Sequence, residues 1–211
     1  MKERPILFTG PMVRAILDGR KTQTRRAFSK KLIFDDRPDA FKFRGFDDEG
    51  RAVFFVPPNE MLLIGPINIK SPYGLPGDRL WVRETWADLN ADFSNMGPQY
   101  VYRADGQDYG APVTWRPSIH MPRAACRLLL DISDLRVQRL HDISEEDAIA
   151  EGVSSFMPGP LQTFYRNYLT CKFQCLTAVA SFQSLWTKIN GPESWAKNPW
   201  VWTIKFKRIQ P

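Results

Sequence analysis

Between Gly19 and Arg26 the chain reads Gly-Arg-Lys-Thr-Gln-Thr-Arg-Arg. Lys21 and Thr24 stand three positions apart in this run, among Arg20, Arg25 and Arg26. A threonine hydroxyl is inert at neutral pH until a base takes its proton. Lysine becomes such a base when its pKa falls, and burial beside like charges pushes it that way. The run therefore offers proton transfer to or from a hydroxyl inside a cationic pocket. The plainer alternative is a solvated, salt-bridged loop.

Other residues can line such a pocket. Arg83, Glu84 and Trp86 leave one strand end. A glutamate there can accept from the exocyclic amine of cytosine, and Trp86 can stack on a base or simply pack in the core. His120 sits between prolines in Thr114 to Arg123, as a base contact, an acid/base group or a hydrogen-bonded structural residue. Arg123 and Arg116 can extend a phosphate track. Trp186, Trp200 and Trp202 follow core spacing.

The elements that must position these residues follow from periodicity. Ile6 to Phe8 reads as a strand. Gly10-Pro11 opens a helix with Met12, Val13, Ile16 and Leu17 on one face, and Gly19 closes it. Phe41 to Phe46 and Arg51 to Val56 form a hairpin, ended by Pro57 and Pro58. Arg79 to Trp86 and Tyr100 to Arg103 are strands, and Arg127 to Leu140 is a long strand or a bent pair. Ser144 starts a short helix with a capping-box pattern to Asp147, and the helix stops at Gly152. Glu151 thus stands at a helix C-terminus, where a carboxylate opposes the helix dipole unless a cation meets it. Residues 153–176 have mixed spacing. Thr177 to Asn190 is a helix ended by Gly191-Pro192, and Trp200 to Ile209 is a core strand. Strands with interspersed helices predict an α+β chain built on a closed or partly closed β-barrel, with helices over its ends.

Charge is local. Residues 1–31 hold nine Lys or Arg against two acids, although the whole 211-residue chain carries only +6. Such a footprint suits phosphate. Cys126, Cys171 and Cys175, an odd set with two histidines, make neither a disulfide framework nor a zinc pattern. No motif implies a metal or a cofactor. No signal peptide and no run of about 20 apolar residues is visible, so a soluble, cytoplasmic protein without a membrane partner is expected.

Met12 to Arg26 resembles the signature of ASCH domains, members of the PUA-like superfamily: a helix followed by G-R-K-T-x-T-x-R. Gly77 to Val82 resembles the family's G-D-x-L-x-V strand, Ile143 to Gly152 its short acidic helix, and Trp200 to Ile209 its last strand. The matches run in family order over one domain, 1–211. Stretches at about 28–76, 87–125 and 153–195 are extra, as in the longer ASCH-like proteins of tailed phages and prophages. The resemblance implies a PUA-like barrel with a nucleoside or nucleic-acid pocket. Small bacterial members include an N4-acetylcytidine amidohydrolase, and its catalytic residues correspond by motif to Lys21, Thr24 and Glu151. Arg26 matches a basic residue that follows the threonine.

Amide hydrolysis needs a nucleophile or activated water, a proton shuttle and an oxyanion stabiliser. Thr24 can supply a hydroxyl, and Lys21 and Glu151 can share a proton. Three functions are therefore expected in competition. The first is an amidohydrolase on N4-acylated cytidine or a related modified base. The second is a non-catalytic module binding RNA or modified DNA. The third is a ribonuclease using Lys21 with His120 or Glu151.

Overall fold

A computed structural model describes residues 1–28, 41–55, 65–90, 97, 99–110, 112–159 and 162–209. Val56, Pro57 and Pro58 of the expected hairpin, and the basic Lys30 and Lys31, lie outside the described residues. The fold is mixed α+β and dominated by strands.

Its centre is a five-stranded sheet. β1 (Glu3–Leu7), β6 (Arg79–Arg83), β9 (Leu129–Arg139), β13 (Trp200–Ile209) and β2 (Gln23–Ala27) lie in the order β1-β6-β9-β13-β2. The β1–β6 pair is parallel and the other pairs are antiparallel. The expected closed barrel is not formed by backbone pairing: among the described residues no ladder joins β2 to β1. A side chain spans the seam instead. Arg26 on β2 donates through Nη2 to the carbonyl of Leu7 on β1, at 2.6 Å. Opposite edges of one sheet come this close only when the sheet curls.

Both faces of this sheet are covered. On one side Leu80, Val82, Leu130, Trp202, Ile204 and Phe206 pack with Phe54 and with Val13 and Ile16 of α1 (Gly10–Leu17). On the other, Val201 packs with Ala148 of α2 (Glu145–Ala150) and with Phe182 and Trp186 of α3 (Ala178–Asn190). The helices thus pack on sheet faces, whereas the sequence suggested that they cap the ends of a cylinder. A bulge in β9 explains its ambiguous pattern. Lys205 pairs with Asp134 and Phe206 with Ile132, so Ser133 is extra and the inward parity shifts from Ile132 to Leu135 and Val137.

The three stretches read as additions each contribute to a small separate sheet. β3 (Lys42–Phe46), β4 (Arg51–Phe55) and β5 (Ile67–Lys70) form one, β7 (Trp86–Asp88) and β8 (Tyr100–Tyr102) a second, and β10 (Ser155–Gly159), β11 (Gln162–Arg166) and β12 (Phe173–Cys175) a third. The expected strand Arg79 to Trp86 is broken. The chain leaves the central sheet after Arg83, and Trp86 begins pairing with Tyr102. Among the described residues, no helix is long and apolar enough to cross a membrane.

Candidate functional site

The site forms where the exit of α1 meets the end of α2. Gly19 takes φ +74°, a left-handed turn that closes α1 and sends the chain back along it. Lys21 N–H then donates to Ala15 O of α1, and Thr22 N–H to Ala150 O of α2, both at 2.9 Å. Lys21 and Glu151 pair as an antiparallel bridge. Gly152 lets them approach. Its φ is +83°, and a Cβ there would stand 2.7 Å from the Lys21 Cβ. α2 itself starts at Ser144, whose hydroxyl accepts from Asp147 N–H.

This geometry answers the dipole problem at Glu151. The Lys21 ammonium donates to the Glu151 backbone carbonyl at 2.8 Å and to its carboxylate Oε2 at 2.9 Å. It therefore caps the helix end and neutralises the acid that the helix dipole disfavours. Arg25 Nη1 donates to the other carboxylate oxygen at 3.2 Å, and Arg25 Nη2 to Asp147 at 2.6 Å. Asp147 also faces Arg136, which donates to Gln23 Oε1 at 2.9 Å.

The side chains of Lys21, Arg25 and Glu151 are 1%, 0% and 4% exposed. Burial pulls the Lys21 ammonium below the ordinary lysine value. The Glu151 carboxylate opposes this, and the Arg26 and Arg25 guanidiniums add to it. Burial alone would raise Asp147, but its bonds to Arg25 and the charge of Arg136 hold it below the usual aspartate value.

A recess of about 500 Å³ is lined by Phe8, Arg14, Arg26, Thr85, Arg103 and Ser118 among others, and Lys21, Thr24 and Glu151 are not part of its wall. Phe8 connects the two features: the Lys21 ammonium stands 5.7 Å and the Arg26 guanidinium 5.1 Å from the centre of its ring. Thr24 is buried in β2 opposite Ile204, two positions from Arg26 and so on the same strand face. Among the described residues, no hydrogen bond joins its hydroxyl to Lys21 or Glu151.

No protein-family model, curated protein or solved structure matches this chain.

The remaining candidate residues do not join this centre. Glu84 is 1% exposed and held by both oxygens on Arg127, at 2.9 and 3.0 Å. Burial raises its pKa against the pull of Arg127. Trp86 is buried among Met121, Ala125 and Leu129, with the Arg116 guanidinium 5.3 Å from its ring. Arg83 stands over Trp81 and donates to the carbonyl of Ile119. His120 is exposed in a 3-10 turn. Arg123 pairs with Glu3 at 2.9 Å, and Arg20 pairs with Asp18 while reaching Gly152 O at 3.3 Å.

Sequence reasoning missed Asp147 and Arg136 as members of the ionic centre and Arg14 and Arg103 as recess residues. One signal existed. Asp147 and Glu151 are four apart across α2, so they share a helix face.

Proposed function

We propose that this chain is an ASCH-like protein that binds a nucleoside in the recess over Phe8 and hydrolyses the amide of an N4-acylated cytidine or a related modified base. One observation carries the reading. Lys21 and Glu151, 130 positions apart and singled out by separate motifs, meet as a buried ion pair at 2.9 Å. The same reading takes the curled sheet as a PUA-like barrel whose seam is spanned by Arg26.

The chemistry follows from the residues. Thr24 orients a water, and Lys21 in its neutral form takes a proton from it, which is why a lowered pKa matters. The new C–O bond forms at the acyl carbon, and Arg26 faces the developing oxyanion. The C–N4 bond then breaks, the Lys21 ammonium returns its proton to N4, and the acid and free base leave. Glu151 holds the ammonium between the two transfers.

A second reading is a non-catalytic binder of RNA or modified DNA. The observation in its favour is the sealing of the pair, since Lys21 and Glu151 are only 2% and 4% exposed as residues. Incubation of the pure protein with N4-acetylcytidine separates the two. The hydrolase releases cytidine and acetate, and Lys21→Ala abolishes release. Absence of turnover over a panel of acylated nucleosides, alongside salt-dependent RNA binding, leaves the binder.

A further inference from the structure

We propose that the recess beside α1 is a phosphate-ester site, so that the ligand is a nucleotide or a nucleic-acid strand rather than a free nucleoside. The nucleoside part of this statement rests on the function proposed above; the anion site does not.

The charge inventory carries the proposal. Arg14, Arg26 and Arg103 line the recess, and no Asp or Glu does. Five arginines elsewhere, Arg25, Arg51, Arg123, Arg127 and Arg136, each hold a carboxylate, whereas others such as Arg83 and Arg208 donate to single backbone carbonyls and do not share a cavity. The three recess arginines hold none among the described residues. Arg14 donates to the carbonyl of Ala104 and Arg26 to that of Leu7, both neutral acceptors. The Nε of Arg26 is buried and lacks a protein partner. The nearest interior acid, Glu151, is already shared by Lys21 and Arg25. Three cations converging on one cavity without an acid call for an anion from outside.

The neighbouring backbone adds donors of the same sign. α1 begins at the recess with no side-chain cap, and Val13 is the first residue of the helix to close on a backbone carbonyl, that of Thr9. Pro11 has no N–H, so Gly10 and Met12 offer the first-turn amides. Thr85 and Ser118 add hydroxyls, and Phe8 and Ile189 add apolar wall. About 500 Å³ exceeds what a lone phosphate fills and falls in the range of small-molecule sites, about 300–1,000 Å³. An ester with an apolar or aromatic body uses both kinds of wall.

Calorimetry on the full chain at low salt tests this with four probes: cytidine, cytidine 5′-monophosphate, inorganic phosphate and a short single-stranded RNA. The monophosphate should bind at least about tenfold tighter than cytidine, the worth of one or two charge-assisted hydrogen bonds. Arg103 is exposed, so Arg103→Ala and Arg103→Glu keep the fold, checked by an unchanged unfolding midpoint. Both should erase the tenfold gap, Arg103→Glu more completely. RNA binding that depends on Arg103, with a weak monophosphate, assigns the site to a strand phosphate. Inorganic phosphate binding that depends on Arg103, with no binding of cytidine, monophosphate or RNA, keeps the anion site and removes the nucleoside reading. Equal affinity for cytidine and its monophosphate, a gap that survives Arg103→Glu, or no binding of any probe overturns the proposal.

Discussion

Glu151 and Glu84 are both buried glutamates that use both carboxylate oxygens, yet their surroundings differ in charge balance. Glu84 is met by Arg127, which is 25% exposed, lies 3.9 Å from the Tyr102 ring centre and also holds Asp105. Two acids there share one cation. Glu151 is met by Lys21 and Arg25, both sealed from solvent, with Arg26 close behind. Cations are in surplus at one site and acids at the other. A closed ion pair at a strand end ties loops together, whereas at Lys21 burial lowers the lysine pKa and the neighbouring guanidiniums add to that pull. The sequence pointed to both glutamates as pocket residues; the balance of partners separates them.

The sharpest way to break this comparison is to neutralise each acid in turn. Glu151→Gln leaves Lys21 and Arg25 buried against a neutral amide and should cost about 3–5 kcal/mol in urea unfolding. Glu84→Gln should cost less, about 1–3 kcal/mol, because Arg127 keeps Asp105 and water. Equal losses would mean that the surplus of cations at Glu151 has no energetic meaning.

A smaller effect isolates the geometry from the charge. Gly152→Ala adds a Cβ 2.7 Å from the Lys21 Cβ and 3.1 Å from the Ala15 Cβ, at φ +83°. A loss of about 1–3 kcal/mol is expected, with the Lys21–Glu151 bridge displaced. A neutral substitution would show that the two segments do not need this close approach.

The smallest effect sharpens the comparison through pH. Asp147 has a folded pKa below its unfolded value, so its contribution is present above the unfolded value and is lost as pH falls through the folded one. Glu84 has a raised folded pKa, so its contribution is present below the unfolded value and declines as pH rises through the folded one. Unfolding midpoints followed through the acid range should therefore lose opposite slopes in Asp147→Asn and Glu84→Gln. Slopes of the same sign would refute the contrast.

Local signals in the chain anticipated much of this arrangement. Gly19, Ser144 and Gly191 mark helix ends where the structure has them, and the alternation of Trp200 to Ile209 marks a core strand, although it did not tell that Val201 to Ile204 are buried on both faces. Lys21 and Glu151 were grouped by the family resemblance, and the dipole argument asked only for some cation at Glu151; the sequence left open whether the two residues meet, and in the structure they do. Other features were illegible because alternation reports a residue's face and not its partner. Nothing local tells that Glu84 finds Arg127 across a strand pair, or that Asp147 finds Arg136. The break after Arg83 depends on β8 offering Trp86 a second ladder. Residues 153–176 form β10 to β12 with two register shifts and many exposed apolar positions, which blurs any period. The curl that brings Arg26 to Leu7 depends on twist summed over five strands, a property no single segment carries.

Lys21 and Glu151 are 130 positions apart, and β2 finds its sheet neighbour β13 only later still along the chain. Contacts of such long sequence separation repay their loop-closure entropy late. Lys21 therefore spends the early part of folding hydrated and fully charged, and dehydrates only when α2 docks. The centre is expected to be among the late parts of the molecule to assemble, an expectation that hydrogen exchange at Thr22 during refolding checks: early protection there would refute it.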